Sequence, residues 1–485
     1  RPSWPCVQQG CHHSIVGVDM SMIEAAEREA KKADDILRAA EERLAGRGTM
    51  PAPAILPQPT TPPSAMKMDD IEHTSGEQAA NDDGDEDDDL KSPPNDPCEG
   101  GFDAYLRRSL GELLFGSWMN IFLPFTFVAW YGVVNEKSDM WIFGSSLLAI
   151  APFAERLSFV TEQLALHTSE TLGGLLNATF GNVTELIVSL FALKAGLLRI
   201  VQVSLLGSIL SNILLVLGTA FLVGGLKHPE QKFNKTAQTA SFGLLLLAVM
   251  CMAMPMVLDV TNEAESQTSG LDVSRAVSVM MLATYCLFLV FQLYTHTHIF
   301  EDSDNDDEEE RILGVWGAIF WLAVITFFIS VLSEWMVEAI EGAAAEYGVP
   351  ELFLGTIVIP IVGNAAEHAA AIIFAHKNKM ELSLGIAVGS ATQIALFVVP
   401  LCIVIGWVYD VPLDLDFHPF ETMTLLMSVI LVGVLIQTGQ SHWLLGFVLV
   451  CAYVVISMGF FVHVDAPVTS PPPPPKYYAP IYTSA

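Results

Sequence analysis

The sequence predicts an all-α polytopic membrane protein with about eleven transmembrane helices, arranged as one extra helix plus two inverted repeats of five, with disordered tails. Of the 485 residues, 52% are hydrophobic and only 16% are charged. From about residue 113 onward, apolar stretches of roughly 20 residues follow one another, and each is long enough to cross a hydrocarbon core of ~30 Å as a helix. A Gly-Asn-x-x-Glu motif occurs twice, 182 residues apart, which predicts two related halves.

Residues 1–100 form a separate acidic segment that has no long apolar run. They contain 21 of the 54 acidic residues and many prolines, a composition typical of disorder. Residues 19–46 within this tail predict one amphipathic helix. Because the tail is acidic and poor in aromatic residues, we expect no nucleic-acid partner. No apolar h-region occurs in the first 30 residues, so no cleavable signal peptide is predicted.

Two cysteines near the N-terminus lie close to two histidines. Cys6 and Cys11, followed by His12 and His13, form a group that could bind a soft metal. The alternative is a chance grouping in a disordered tail, which we favour because the seven cysteines of the chain give no disulfide framework.

Eleven candidate spans follow one another between the tails. They lie at residues 113–134, 140–163, 170–196, 199–225, 236–258, 272–296, 312–336, 350–376, 380–407, 419–438 and 442–463. The acidic loop 297–311 separates a first transmembrane half, 113–296, from a second half, 312–463. Such a loop is usually a solvated connector, and the alternative is that it collects divalent cations near an entrance. Residues 464–485 form a Pro-rich, extended C-terminal tail.

Basic residues in the loops predict the orientation of the chain in the membrane. With the N-terminal tail in the cytosol, nine basic residues flank the spans on the cytosolic side and five on the other side. The sequence therefore predicts a cytosolic N-terminus. An odd number of spans then places the C-terminus on the far side.

The repeated motif belongs to a longer internal repeat. Adding 182 converts the first motif, Gly181-Asn182 with Glu185, into the second, Gly363-Asn364 with Glu367. The next helix keeps this offset, since Gly207-Ser208 corresponds to Gly389-Ser390. Moving five spans along the chain reverses the helix direction, so the two halves must have inverted topology. This is the plan of many secondary transporters, in which the substrate site lies at the midplane where the repeats meet.

Each motif contains a carboxylate inside an otherwise apolar segment. Asn364, Glu367 and His368 are spaced to lie on one face of a helix, and glycine or proline residues nearby allow the helix to break and free its carbonyls. Burying a carboxylate in a membrane costs ~2.5–3.5 kcal/mol, so each one needs a partner. Two such helices would direct two carboxylates, two amides and several carbonyls into one volume.

An all-oxygen ligand set with two negative charges suits a hard divalent cation. Ca²⁺ fits best and Mn²⁺ could also fit, whereas zinc or copper would require more imidazole or thiolate. When the cation leaves, burial and the like charge of the neighbour favour protonation of the carboxylates, which predicts cation/proton exchange by alternating access. The predicted cation site consists of Glu185, Glu367, Asn182, Asn364, Ser208, Ser390 and Gln393.

Further ionisable residues on the adjoining helices predict a proton path between the midplane and water. The preceding spans repeat loosely with an offset of 179, which relates two pairs of glutamates. The predicted path consists of Glu155, Glu162, Glu334, Glu338, Glu341 and His368. The alternatives are that His368 is hydrogen-bonded packing, that Glu338 and Glu341 are solvated at a helix end, and that the serines and Gln393 join helices.

These motifs resemble the calcium/proton exchanger family. The resemblance lies in "GNVTELIVSLFALKAGLLRIVQVSLLGSILSNILLVLG", "GNAAEHAAAIIFAHKNKMELSLGIAVGS" and "AERLSFVTEQLA", and it covers roughly residues 110–463. It implies an eleven-helix fold, Ca²⁺ uptake into an acidic compartment such as the vacuole, and a proton gradient as the driving force. It also implies that Glu185 and Glu367 bind the ion and exchange protons, with Asn182 and Asn364 beside them.

Three alternatives remain open at the level of sequence: an exchanger with another divalent-cation preference, an intramembrane metallo-hydrolase, and a channel or inactive scaffold. The Na⁺-coupled relatives typically carry Gly-Thr-Ser-x-Pro-Glu/Asp repeats, and the absence of those hydroxyls here favours protons. An exchanger that prefers Mn²⁺, or that carries divalent cations broadly, has the same predicted site. An intramembrane metallo-hydrolase is suggested by Glu367, His368 and His376, but the His-Glu-x-x-His spacing of zincins is absent. We expect no cofactor, a lipid membrane as surroundings, and a homo-oligomer as one possible assembly.

Overall fold

The computed structural model describes residues 102–261, 267–299 and 311–463. The predicted tail 1–100 with its helix at 19–46, Cys6 and Cys11, the tail 464–485 and most of the acidic loop lie outside these residues. Within them, the predicted all-α fold is confirmed.

The helices of the first half follow one another from residue 102 to residue 295. They are α1 (Phe102–Phe115), α2 (Phe125–Val134), α3 (Asp139–Ala165), α4 (Glu170–Phe180), α5 (Val183–Lys194), α6 (Leu198–Lys227), α7 (Lys235–Val260) and α8 (Gln267–Val290). Short 3₁₀ turns occur at Trp118–Phe122 and Thr297–Ile299, and π-helical turns occur at Ser211–Val216 within α6 and at Phe291–Thr295 after α8.

The second half repeats this order of long and broken helices. It consists of α9 (Val315–Glu338), α10 (Ile340–Tyr347), α11 (Glu351–Gly363), α12 (Ala365–His376), α13 (Met380–Val408), α14 (Pro419–Ile436) and α15 (Trp443–Val462). Strands β1 (Gln231–Lys232) and β2 (Gln440–Ser441) pair antiparallel and join the loop after α6 to the loop after α14.

The predicted count of eleven spans is not confirmed. Among the described residues, eight helices are long and apolar enough to cross a membrane, or up to ten if each of two bent pairs is one span. The apolar runs predicted at 170–196 and 350–376 are each two helices, because the chain breaks within them. The run predicted at 113–134 begins in a bend of 79° after α1.

Both breaks fall on the asparagine of the repeated motif. Asn182 (φ −117°, ψ 26°) and Asn364 (φ −88°, ψ 19°) leave the helical region of the backbone, and a new helix begins at the next residue. Within α11, Pro360 follows a π-helical turn at Leu354–Val358 and removes one amide donor. Freed backbone groups are tolerated in a membrane where they are buried in protein or line a cavity.

Helices α3 and α9 lie side by side in opposite directions. At one end, the Met140 N–H donates to the Glu346 carboxylate at 3.4 Å. At the other, the Gln163 side-chain oxygen accepts from the N–H groups of Ile312 at 2.7 Å and Leu313 at 3.1 Å. An antiparallel pairing of equivalent helices is the arrangement that two inverted repeats predict.

The two halves are equivalent in order but not in packing. Helix α11 lies against α6 so closely that a Cβ on Gly207 would overlap the Thr356 carbonyl oxygen, whereas the equivalent Gly389 faces open space. Leu172 and Leu175 on α4 are 47% and 41% exposed, and their equivalents on α11, Leu354 and Ile357, are 6% and 4% exposed. The fold is therefore closed on the α11 side and open on the α4 side.

This difference makes two equivalent glycines unequal in their tolerance of a methyl group. We expect Gly207→Ala to lower the free energy of unfolding by about 1–3 kcal/mol, because the added Cβ overpacks a backbone contact. Gly389→Ala is the matched control, and we expect it to change stability little. Thermal unfolding of the purified protein in detergent measures both, and equal destabilisation by the two variants would contradict the packing described here.

Candidate cation site

The two motif glutamates occupy the first turns of two helices that start at the breaks. Glu185 lies in the first turn of α5 and Glu367 in the first turn of α12, where the unpaired N–H groups and the helix dipole favour negative charge. Glu185 is 7% exposed. One Glu367 oxygen is buried and has no hydrogen-bond partner among the described residues.

The fold brings the two motifs together. A Cβ built on Gly363 of the second motif would lie 3.6 Å from the Glu185 Oε1 atom of the first motif. Gly363, four residues before Glu367, also lines the same cavity as Glu185. Two acidic groups 182 residues apart in the chain therefore share one region of the protein interior.

Each motif asparagine binds the central helix of the opposite half. The Asn182 side-chain amide donates to the Gln393 side-chain oxygen on α13 at 2.6 Å. The Asn364 amide donates to the backbone carbonyl of Ser208 on α6 at 3.3 Å. These crossed bonds fix both breaks against the two long central helices.

A cavity of about 20 Å³ lies beside Glu185, enough for about one water molecule. Its polar wall consists of Thr184, Glu185, Ser189, Ser204, Ser208 and Gly363. No basic side chain is among the residues that line it. The remaining wall is apolar, so a charged group in the cavity depends on these oxygen atoms for its solvation.

Three hydroxyl residues in this wall were not predicted from the sequence. Thr184, Ser189 and Ser204 lie on buried faces within one or two turns of the motif residues, and that helical spacing is the signal that could have identified them. Two of the predicted site residues, Glu185 and Ser208, line the cavity. The other five, Glu367, Asn182, Asn364, Ser390 and Gln393, do not line it, although Gln393 binds Asn182 and Asn364 binds Ser208.

A second group of buried polar side chains lies in and near the π-helical turn of α6. Neither polar atom of the Asn212 amide has a hydrogen-bond partner among the described residues, and the same holds for the hydroxyl of Thr356. Both residues are fully buried. Unpaired polar groups in a membrane interior are costly, and in a transporter they can serve ions or water.

His368 is held away from the cavity by a hydrogen bond to Thr219. Its Nε2 atom lies 2.8 Å from the Thr219 hydroxyl oxygen, and that hydroxyl donates to the Leu215 carbonyl at 2.8 Å. The same hydroxyl also lies within hydrogen-bond distance of the Val216 carbonyl, at 3.0 Å. The residue equivalent to Thr219 in the second half is Leu401, so this pair has no counterpart.

The predicted proton-path glutamates form two groups at opposite ends of the α3–α9 pair, and none lines the cavity. Glu155 forms an ion pair with Arg156, and Glu162 is exposed nearer the Ile312 end. Glu334 forms an ion pair with Lys194 at 3.0 Å, and at the same end Glu338 and Glu341 are exposed. The structure thus places these residues on both sides of the cavity rather than along one continuous route.

With this geometry in view, the family of the chain can be decided. The sequence profile of the sodium/calcium exchanger protein family matches residues 138–294 and 317–462. The chain belongs to this family. Exchangers are secondary transporters rather than enzymes, so the metallo-hydrolase alternative has no support.

Known exchangers match most of the chain. It is 47% identical over 358 residues to vacuolar cation/proton exchanger 2 of Oryza sativa subsp. japonica, which covers 72% of this chain and 82% of that protein. It is 47% identical over 370 residues to vacuolar cation/proton exchanger 5 of Arabidopsis thaliana, covering 74% and 84%. The predicted resemblance to the proton-coupled exchangers is confirmed.

Two solved structures have the same fold. Native YfkE aligns with a TM-score of 0.62 and 35% identity, covering 71% of this exchanger and all of that chain. The H⁺/Ca²⁺ exchanger CAX aligns with a TM-score of 0.56 and 13% identity, covering 71% and 91%. Because its sequence identity is only 13%, the second match shows that the fold is shared and nothing more.

The crossed bond between Asn182 and Gln393 predicts an energetic coupling between the two halves of the exchanger. A double-mutant cycle of Asn182→Ala and Gln393→Ala should give a coupling energy of about 0.6 kcal/mol, and at most about 1.7 kcal/mol, the range for hydrogen bonds between membrane helices. Unfolding free energies in detergent measure it. The exposed Gln440 serves as the control, since Asn182→Ala and Gln440→Ala should add. Additive effects at Asn182 and Gln393 would argue against the bond.

Proposed function

We propose that this exchanger is a secondary active antiporter that exchanges Ca²⁺ for protons, with Glu185 and Glu367 binding either ion. The observation that carries the proposal is the position of Glu185 in the wall of a cavity with no basic lining residue, where Gly363 of the second motif, four residues before Glu367, lies in the same wall. Two acidic groups in such a setting are stable when a divalent cation or protons neutralise them. Ca²⁺ and H⁺ therefore compete for the same groups, which is the requirement for coupled exchange.

Protons are the better counter-ion on two grounds. The relatives that match over most of their length are named cation/proton exchangers, and a structure of YfkE is described as that of a Ca²⁺/H⁺ antiporter. The hydroxyl-rich repeats typical of Na⁺-coupled relatives are also absent from both motifs.

Ca²⁺ is the better cargo because the site offers oxygen atoms. Carboxylates, hydroxyls and freed carbonyls match its flexible shell of six to eight oxygens. The imidazole nearest the motif belongs to His368 and is bound to Thr219. An exchanger that prefers Mn²⁺ is the alternative, and competition of Mn²⁺ against Ca²⁺ uptake separates the two.

The unequal packing of the two halves supports alternating access. In the state described here α11 is closed on α6 at Gly207, whereas α4 stands away from α13 at Gly389. In the apolar stretch of α6, 94% of the residues are buried inside the protein, whereas in that of α13 the share is 61%. In the opposite state, α4 closes on α13 and α11 opens, so the cavity faces the other side.

The side that is open here contains the ends of α3 and α9 near Ile312. With a cytosolic N-terminus this is the cytosolic side, so the cavity receives Ca²⁺ from the cytosol. Glu155 and Glu162 then lie on the cytosolic side of the cavity. Glu334, Glu338 and Glu341 lie on the far side, where they pass protons from the far compartment toward the cavity. The names of the relatives favour the vacuolar membrane as the location.

Ca²⁺ flux in proteoliposomes with an imposed pH gradient tests the exchange. We expect Ca²⁺ uptake to stop when the pH gradient is dissipated. We also expect Glu185→Gln or Glu367→Gln to weaken Ca²⁺ binding by about a hundredfold or more. Removing one member of a buried charged set costs roughly 3–5 kcal/mol. Glu346→Gln is the matched control, because Glu346 is exposed and binds the Met140 N–H. Uptake that survives dissipation of the pH gradient would rule out proton coupling.

A bulky residue at Gly389 should separate transport from folding. A Cβ on Gly389 meets no atom within 4 Å in the open state, so we expect Gly389→Leu to change the melting temperature little. The side chain should prevent α4 from closing on α13, and Ca²⁺ uptake should fall to background. Gly243→Leu is the control, since Gly243 also faces open space but lies on α7, away from both motifs. Normal uptake by Gly389→Leu would show that closure does not occur at this contact.

A further inference from the structure

Four basic side chains meet where α6 and α12 end, apart from the motif cavity. Lys227 is the last residue of α6, and His376 is the last residue of α12. His228 and Lys377 directly follow them in the chain. None of the four lines the cavity beside Glu185. We call these four residues the basic group.

Hydrogen bonds hold the basic group together. The Lys227 ammonium donates to the His376 carbonyl at 3.0 Å and to the His376 Nδ1 atom at 3.2 Å. The His228 Nε2 atom lies 3.3 Å from the same carbonyl oxygen. The Gln231 side chain donates to the Asn378 side-chain oxygen at 3.0 Å. The loop after α6 is therefore fixed on the end of α12, and the basic side chains lie on one surface.

The bonds within the basic group leave hydrogen-bond donors for an anion. An ammonium has three N–H groups, and Lys227 uses two of them on His376. Because Nδ1 of His376 accepts from Lys227, Nε2 of that ring carries the hydrogen and is a donor. The Lys377 side chain is exposed. Donors on three adjacent side chains suit the oxygen atoms of a phosphate group.

The neighbouring loops do not cancel the positive charge of the basic group. The loop after α6 adds one acidic residue, Glu230, and one lysine, Lys232. The turn into α13 adds Lys379, and Glu381 follows it in the first turn of that helix. The surface is therefore net positive, in a chain whose formal net charge is −31.

Apolar side chains beside the basic group mark the edge of the hydrocarbon core. Leu226, directly before Lys227, is 73% exposed. Helix α15 starts alongside, since a Cβ on Gly225 would overlap the Trp443 backbone nitrogen, and Trp443 is 48% exposed. Tryptophan and lysine are typical of the membrane–water interface. The basic group therefore lies at the depth of the lipid headgroups, next to a surface that faces acyl chains.

We propose that the basic group binds the headgroup of an anionic phospholipid, with Lys227, His376 and Lys377 donating to its phosphates and the acyl chains along Leu226 and Trp443. Positive charge at headgroup depth favours anionic over zwitterionic lipids. Because the basic group ties α6 to α12, the bound lipid stabilises the contact between a central helix and the helix that carries the second motif glutamate. The lipid site does not depend on the proposed function.

Lipid binding to the full chain in detergent tests the site, with phosphatidylinositol 4-phosphate as the probe and native mass spectrometry as the measurement. Lys227→Gln and Lys377→Gln should each weaken binding by about fivefold, the factor that ~1 kcal/mol per basic residue at a membrane surface corresponds to. Glutamine at 227 keeps a donor for the His376 carbonyl. Lys137→Gln is the matched control, since Lys137 is an exposed lysine in the loop before α3, and it should bind as the wild type does. Phosphatidylcholine should bind wild type and variants equally.

Thermal unfolding with the same lipid gives a second readout. Phosphatidylinositol 4-phosphate should raise the melting temperature of the wild-type chain, and the variant with both Lys227→Gln and Lys377→Gln should lose this shift, because a ligand that binds only the folded state stabilises it. Water-soluble inositol 1,4-bisphosphate should give a smaller shift, since it lacks acyl chains.

Two results would overturn the proposal. The first is equal lipid binding by the wild type and the double variant, as would occur if the acidic segment 301–310 of the same chain occupied the surface. The second is an equal thermal shift with inositol 1,4-bisphosphate, which would assign the surface to soluble phosphates instead of a lipid.

Discussion

The crossing of two broken helices is the constraint on which the rest of this structure depends. A carboxylate inside a membrane needs partners, and a helix that breaks there must satisfy its freed backbone groups within the protein. The crossed bonds of Asn182 to Gln393 and of Asn364 to the Ser208 carbonyl fix both breaks against the central helices. The long helices α6 and α13 are central because each provides the partner for the opposite break.

The same crossing explains why one sequence repeat yields two different packings. Gly207 and Gly389 are equivalent residues, yet Gly207 packs onto the Thr356 backbone carbonyl whereas Gly389 faces open space. Packed interfaces have discrete arrangements rather than a continuous range, so a protein with two equivalent interfaces can exchange which one is closed. In the alternating access proposed above, the breaks at the asparagines are the points about which α4 and α11 would move relative to α5 and α12.

Much of the site could be predicted from the sequence, for reasons that lie in particular residues. Glu185 and Glu367 stand out because charge is rare inside apolar segments and because the same offset relates their neighbours. Thr184, Ser189 and Ser204 were missed, since a small hydroxyl residue in a membrane helix is ordinary until its neighbours are known. The count of eleven spans was not confirmed because an apolar run continues through Asn182 and Asn364, although the helix does not.

The sequence by itself determined that this chain is an all-α membrane protein with two related halves, and that Glu185 and Glu367 are equivalent in the repeat, because these depend on composition, periodicity and repeat. Only the tertiary structure decided which side of the molecule is closed and that His368 lies beside Thr219. These depend on contacts between residues far apart in the chain. Such contacts leave no trace in local periodicity, because their energies arise only when separate helices pack against one another.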